Sequence, residues 1–393
     1  MLVDSTQTQQ ELLRQIQEQW TDAEKKVDAL LRLTPEKQSR RLQLSHIGLR
    51  TPVIVEVLLK RAHEQGFLDS DESYSLAKTA FTVATRISGY DDRVGCHQLT
   101  WDYQALASAQ MANACRIGCW WGSAHENMER AFRLQLLGTG APRVVAQLCS
   151  LRASLYKDSR WYEEALLDLR TARELYEGMG RERKQELAHV LVNIGTVHYQ
   201  CERFDDAMKA NEAAMDHIDE RRQKTLLAIA SCNRALFLTE LGDPATALQS
   251  FALIPTFQEL GVSTDSILCA YRDWEIGRAH LALQQFGEAR AQFDRAIQCF
   301  EAKQDPFNKA LVMLDLSRLY RAKGEHSADF YRCAREALAL LKSQSLDTEA
   351  KETTQLLNDA LAEEVLTAKA IVRAVRDLRA HRNHQRFRPP TLF

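Results

Sequence analysis

The sequence is short of the two residues that most often interrupt helices. Proline occurs 8 times and glycine 16 times in 393 residues, whereas average usage is about 5% and about 7%. Both residues are unfavourable inside helices, so their scarcity leaves long stretches that can remain helical. Hydrophobic residues make up 45% of the chain. The composition therefore predicts a nearly all-helical protein with a large core.

A strong charge of one sign and long hydrophobic runs are also missing. The formal net charge is −2, which provides no global field to attract nucleic acid or a membrane. The nearest approach to a membrane helix is VIVEVLL at 53–59, far short of about 18 apolar residues. Residues 1–30 lack the apolar core of a signal peptide, and the nine cysteines are scattered singly, unlike a secreted disulfide framework. We expect a cytoplasmic protein without a membrane partner.

Motifs of catalysis and nucleotide binding are absent. The sequence contains no GxSxG, Walker-type glycine loop, HExxH or GxGxxG stretch. Its paired acids, such as Asp205 with Asp206, stand at predicted helix starts, where the helix dipole favours negative charge. We therefore expect no enzyme activity, no catalytic residue and no cofactor.

Small residues recur at a regular interval. In NIGTVHYQCERFDDA at 193–207, Gly195 and Ala207 are twelve positions apart with Tyr199 and Phe204 between them. The closing alanine recurs at Ala124, Ala165, Ala207, Ala247 and Ala289, and the small residue twelve before it at Ala112, Ala153, Gly195, Ala235 and Gly277. Successive closing alanines are 41, 42, 40 and 42 residues apart. This even spacing indicates an internal repeat.

The repeat resembles the tetratricopeptide repeat in a longer form of about forty residues, and the resemblance covers 52–342. Each unit would be two antiparallel helices, A and B, with the small residue of A facing that of B so that the backbones approach closely. A bulky side chain there would cost about 1–3 kcal/mol. The predicted fold is an all-α, right-handed α-solenoid of about seven such hairpins with capping helices.

The resemblance also implies a domain organisation and a function. Residues 1–33 would form an N-terminal helix or cap, 34–346 the solenoid, and 347–393 an amphipathic capping helix with a basic tail. The A helices would line a concave groove, so the implied function is a non-enzymatic scaffold or regulatory adaptor that captures a protein or peptide segment. An alternative is a peptide-sensing subunit that controls an effector or transcription.

Three stretches resemble a bacterial family of tetratricopeptide proteins that often carry a helix-turn-helix DNA-binding domain. They are TPVIVEVLLKRAHEQGF, SAQMANACRIG and the closing RFRPP. The family resemblance implies a regulatory role. Residues 1–51 lack a plausible pair of recognition helices, so direct DNA binding is not expected.

Repeat offsets carried over from the tetratricopeptide family select the groove-facing positions. Asparagines there would hydrogen-bond a ligand backbone, aromatic residues would supply apolar area, and arginines would grip a carboxylate. The predicted partner-binding residues are Asn193, Thr196, Tyr199, Asn233, Tyr271, Trp274, Arg278, Asp315, Arg318 and Arg321, and the same offsets select Glu240 and Glu275. The alternative is a solvated face with local ion pairs, such as Asp315 with Arg318.

Two further groups of residues have weaker interpretations. Cys96, His97, Cys115, Cys119 and His125 are the one cluster that resembles a zinc site, but Cys115 occupies a packing position of the repeat, where cysteine acts as a small hydrophobe. We expect no metal. The C-terminal arginines could contact phosphates, but a solvated cap face is favoured and nucleic acid is not an expected partner; they are Arg373, Arg376, Arg379, Arg382, Arg386 and Arg388.

Overall fold

The computed structural model describes residues 2–44, 47–66, 69–87, 96–118, 120–221, 223–253, 267–323, 328–344 and 348–381. Within these ranges the chain forms eighteen α-helices, two short 3₁₀ helices and no strand. The helices are α1 (Leu2–Leu31), α2 (Pro35–Leu44), α3 (Pro52–Gln65), α4 (Ser70–Ala84), α5 (Cys96–Ile117), α6 (Trp121–Gln135), α7 (Pro142–Asp158), α8 (Tyr162–Gly178), α9 (Lys184–Gln200), α10 (Phe204–Met215), α11 (Lys224–Glu240), α12 (Pro244–Leu253), α13 (Ile267–Ala282), α14 (Phe286–Ala302), α15 (Pro306–Ala322), α16 (Ala328–Lys342), α17 (Thr348–Ala362) and α18 (Ala368–His381).

The helices follow the predicted alternation of A and B. The odd-numbered helices α3 to α15 are A helices, and α4 to α16 are B helices. In the second half of the molecule each A helix packs on its own B helix, as α9 does on α10, and each B helix packs on the next A helix, as α10 does on α11. The predicted all-α fold of helical hairpins is confirmed.

The chain divides into two compact units. One contains residues 1–155 and 387–393, of which the last stretch lies outside the described residues, and the other contains 156–386. In the first unit α1 packs on α3, and α4 packs on α5. In the second unit α13 to α18 share one hydrophobic core. The predicted boundaries near residues 34 and 347 remain a prediction.

The glycines of the repeat lie where backbones come close. A Cβ added to Gly195 would stand 3.1 Å from the carbonyl oxygen of Ala207, the residue predicted to face it. A Cβ added to Gly277 would stand 2.7 Å from two ring carbons of Phe293. Interiors this closely packed do not admit an extra methyl group without movement. The predicted packing role of these glycines is confirmed.

The turn from A to B is the same in successive repeats. Five residues before the closing alanine the backbone is left-handed, at Arg160 (φ 64°), Glu202 (φ 58°), Gly242 (φ 86°) and Gln284 (φ 60°). The residue after the left-handed one donates a backbone hydrogen bond to the carbonyl five positions before itself, as Arg203 does to His198 at 2.9 Å. This is the Schellman way to end a helix. Glycine is the usual residue in this conformation, and three of the four turns do without it.

The C-terminal amphipathic run predicted over 347–380 is two helices, α17 and α18. Glu364 between them is left-handed (φ 58°), and the amide of Val365 donates to the carbonyl of Ala360 at 2.9 Å. The periodicity of apolar residues continues through this turn, which explains why the sequence pattern alone does not reveal the break. Because of this turn, α18 does not continue α17 as one helix.

Candidate functional site

The ten predicted binding residues lie on α9, α11, α13 and α15 of the second unit, and six of them form two contrasting groups. In the first, Asn193, Thr196 and Asn233 are half-buried. The hydroxyl of Thr196 donates to the backbone carbonyl of Val192 at 3.0 Å, within its own helix. We call these three residues the open stretch, because each keeps part of its side chain accessible to solvent.

The second group is buried. Trp274 and Asp315 are 0% exposed and Arg278 is 9% exposed. We call these three residues the covered stretch. The indole Nε1 of Trp274 donates to Asp315 Oδ2 at 2.8 Å, which joins α13 to α15. These three residues lie on the predicted groove face but are enclosed by other parts of the chain, and their partner-binding role remains a prediction.

Arg278 is the centre of a charged network. Its Nη2 donates to Glu240 Oε1 at 2.6 Å, its Nη1 donates to Glu275 Oε2 at 2.9 Å, and its Nε lies 3.7 Å from Asp315 Oδ2. The three carboxylates come from α11, α13 and α15. One guanidinium therefore links three successive A helices, a geometry that its planar set of donors suits.

The cover over this network is α18. Nη2 of Arg376 donates to Glu240 Oε2 at 2.8 Å, and its Nη1 lies 2.8 Å from Glu202 Oε1. Nη1 of Arg379 donates to Glu275 Oε1 at 2.8 Å. The two arginines are three residues apart, which puts them on one face of the helix. They therefore hold α18 against the A helices.

Aromatic rings complete the contact. The guanidinium carbon of Arg379 lies 3.5 Å from the centre of the Trp274 ring, and that of Arg376 lies 5.1 Å from the centre of the Phe204 ring. A guanidinium over an aromatic face is stabilised by the ring quadrupole, more so when water is excluded. The space bounded by Tyr199, Arg278 and α18 is too narrow for a water molecule.

The network holds its members in their charged forms. Burial raises the pKa of Glu240, but Arg278 and Arg376 outweigh it and leave the pKa below its ordinary value of 4.5. Burial also opposes ionisation of Asp315, and Arg318 and Arg278 lower its pKa below 3.8. Buried carboxylates remain ionised only when paired in this way. Glu240 and Asp315 are thus ionised near neutral pH.

The remaining predicted residues surround this network. Arg318 donates to Asp315, confirming the local pair expected at i, i+3. Arg321 donates to the backbone carbonyl of Leu366, at the entry to α18. The ring of Tyr271 stacks on that of Trp274 with centroids 6.3 Å apart. A partner-binding role for any of these residues remains a prediction.

Comparisons with known proteins identify the fold. No family model matches the sequence, and no curated protein matches it. Among solved structures, a Rap protein complexed with Competence and Sporulation Factor is similar at a TM-score of 0.58 and 15% identity, over 85% of this chain and 91% of that chain. Aspartyl phosphate phosphatase F from Bacillus subtilis is similar at 0.55 and 12%, over 89% and 88%.

A third similar structure contains a bound peptide. The Rap conjugation gene regulator of the plasmid pLS20, in complex with the Phr* peptide, matches at a TM-score of 0.50 and 15% identity, over 86% of this chain and 98% of that chain. The chain has the tetratricopeptide-type fold of Rap proteins. Identities of this size establish the fold only.

The C-terminal arginines differ from the predicted solvated cap. Arg376 and Arg379 point into the charged network, and Arg373 is exposed. The other three arginines, at 382, 386 and 388, lie outside the described residues. One sequence signal could have identified the inward pair: with Val372 and Val375 they complete an i, i+3, i+4, i+7 pattern on one face of α18. The number of positive charges alone does not distinguish these two arginines from the other four.

The candidate metal cluster is not assembled in the described part of the chain. Cys119 and the side chains of Cys96 and His97 lie outside it. Cys115 is buried, and burial raises the pKa of its thiol to about 12, which disfavours the thiolate that zinc binds. Among the described residues no three His, Cys, Asp or Glu side chains are arranged to hold a metal.

None of the helices in the described ranges combines the length and hydropathy needed to span a bilayer.

Proposed function

We propose that the protein is a non-enzymatic regulatory adaptor that captures a peptide or protein segment on the A-helix face of its second unit. The observation that carries this function is that the face already receives a helix. Side chains from α11, α13 and α15 converge on α18 through paired charges and a stacked tryptophan. A face able to bind one helix of this chain is able to bind a similar segment.

The likeness to Rap proteins supports this function. Two of the similar structures are complexes, one with Competence and Sporulation Factor and one with the Phr* peptide. Half-buried asparagines on adjacent A helices, Asn193 and Asn233, provide the donors and acceptors that recognise an extended backbone. The similarity to a phosphatase carries the fold alone, so we propose no enzyme activity from it.

A peptide-selection experiment tests the open stretch. Random peptides displayed on phage are selected against the full-length protein, and the dissociation constant of an enriched peptide is measured by fluorescence anisotropy. We expect the double substitution Asn193→Ala, Asn233→Ala to weaken binding about thirtyfold, because each of the two lost side-chain hydrogen bonds contributes about 1 kcal/mol.

The control is Arg173→Ala on α8. Arg173 is half-exposed and pairs with Glu177 in its own helix, so the substitution should leave peptide affinity unchanged. If no peptide is enriched, or if the control weakens binding as much as the double substitution, the proposed function is wrong.

The ion pairs of α18 weaken the alternative that the C-terminal arginines bind nucleic acid. Two of the six C-terminal arginines, Arg376 and Arg379, are paired with carboxylates of the same chain. Phosphate contacts require free cations.

A further inference from the structure

Without α18 the charged network has fewer positive than negative groups, and α18 supplies the missing positive charge. The ion-paired groups within it are four carboxylates and four guanidinium groups, from Glu202, Glu240, Glu275, Asp315, Arg278, Arg318, Arg376 and Arg379. Of the four guanidinium groups, only those of Arg278 and Arg318 belong to A helices. Without α18 the surface would carry two unbalanced negative charges, and the two arginines of α18 neutralise them.

The spacing of the carboxylates matches one turn of a helix. Glu240 and Glu275 come from successive A helices and each binds a different arginine of the pair Arg376 and Arg379. Charges this well buried interact more strongly than on the surface, because little solvent screens them. The surface is therefore complementary in geometry as well as in charge to a helix with arginines at i and i+3.

The fit of α18 leaves donors unused. Nε of Arg376, and both Nε and Nη2 of Arg379, are buried without a hydrogen-bond partner among the described residues. A buried donor without a partner is destabilising. Binding of α18 therefore carries a desolvation cost, and a helix whose arginines were fully hydrogen-bonded would compete with it.

The connection to α18 permits it to leave. Glu363, Glu364 and Val365 form an exposed turn between α17 and α18, so the connection itself does not prevent α18 from detaching. Ile371 and Leu378 are fully buried on the inner side of α18, and their exposure would be costly. A competing segment must therefore replace apolar contacts as well as the two charges.

We infer that this surface is a recognition site for an amphipathic helix of a partner protein bearing two arginines three residues apart, and that α18 is its intramolecular occupant. The partner helix displaces α18 when it binds. This inference rests on the proposed function and names the partner class for the covered stretch.

The test uses a fluorescein-labelled synthetic peptide of residues 366–381 and the full-length protein. The double substitution Arg376→Gln, Arg379→Gln weakens the tethered helix, which otherwise competes at a high effective concentration. We expect the peptide to bind this variant at least about tenfold more tightly than it binds the unsubstituted protein. Adding Glu240→Gln and Glu275→Gln should weaken that binding at least about thirtyfold.

A matched control removes the same amount of charge from solvent-exposed positions of α18. Lys369 and Arg373 are exposed on α18, so Lys369→Gln, Arg373→Gln in the protein should leave peptide binding as weak as in the unsubstituted protein. A peptide carrying Gln in place of both Arg376 and Arg379 should not bind any of these proteins.

Hydrogen exchange provides a measurement that does not depend on a variant. Excess unlabelled peptide added to the unsubstituted protein should increase amide exchange in α18 and leave α15 protected. If α18 exchange does not change, or if the peptide binds with and without Glu240 and Glu275 equally, the inference is overturned.

The experiments can disprove the adaptor function and the recognition site under α18 independently of each other. Selected peptides that depend on Asn193 and Asn233, together with an α18 peptide that does not bind, would uphold the adaptor function and remove this inference. Binding of the α18 peptide without any selected peptide would remove the open stretch as a capture site and keep the recognition surface under α18.

Discussion

The open and covered stretches both belong to the A-helix face of the repeat and have different environments. Asn193 and Asn233 keep part of their surface in solvent, whereas Trp274 and Asp315 are fully enclosed. Both groups were selected from the same offsets. The difference arises because α18 packs on α15 and reaches α11 and α13 through its arginines. A position in the repeat determines which way a side chain points, and the neighbouring helix determines whether it meets water.

The comparison has an energetic consequence. A polar side chain in the open stretch exchanges hydrogen bonds with water, so its substitution changes little. A charged side chain in the covered stretch has no such exchange, and removing one partner leaves the others buried and unpaired. Three substitution experiments measure this difference.

The largest effect should come from Arg278→Ala. This change leaves Glu240, Glu275 and Asp315 buried without their shared partner, and we expect it to lower the free energy of unfolding by about 3–5 kcal/mol. Urea denaturation measures the loss. Arg332→Ala is the control, because Arg332 pairs with Asp329 at the same i, i+3 spacing on the surface and should cost less than about 1 kcal/mol. If both variants lose the same free energy of unfolding, the buried ion pairs of Arg278 contribute no more to stability than a surface pair.

An intermediate effect should come from the repeat glycines. Gly277→Ala places a methyl group 2.7 Å from the Phe293 ring, a crowding that costs about 1–3 kcal/mol and exceeds the gain of about 1 kcal/mol in helix propensity. Gly195→Ala meets the carbonyl oxygen of Ala207 at 3.1 Å, which requires a smaller movement. We expect Gly277→Ala to be the more destabilising in thermal unfolding. If Gly195→Ala is the more destabilising, packing is tighter around Gly195 on α9 than around Gly277 on α13.

The smallest effect should come from the open stretch itself. Asn193→Ala and Asn233→Ala should each change the free energy of unfolding by no more than about 0.5 kcal/mol, because their side chains are partly solvated. Chemical denaturation of the two single variants checks this. A loss above about 1 kcal/mol in either would mean that the asparagine supports the fold, and its assignment as a binding residue would lose its basis.

Much of the fold could be predicted from spacing alone. Gly195 and Ala207 had to face each other because short side chains twelve residues apart let two antiparallel helices approach, and their contact confirms it. The break before α18 could not be predicted in the same way. Glu364 adopts a left-handed backbone there without the glycine that normally marks such a position.

The candidate site was predictable in its residues and not in its arrangement. Offsets within the repeat located Trp274, Arg278 and Asp315 on one face, and this needed only local helix geometry. The arginines that cover this face come from α18, and Arg379 lies 104 residues after its partner Glu275.

The sequence by itself therefore determined the helices, their pairing and the face to which each side chain belongs, since all three follow from contacts between residues close in the chain. The tertiary structure decided which part of that face is open and which is covered. That outcome depends on where α18 settles, and its position results from charges and apolar surfaces contributed by several distant helices at once. A repeating pattern describes only the repeat, so it contains no information about a helix that lies across several of them.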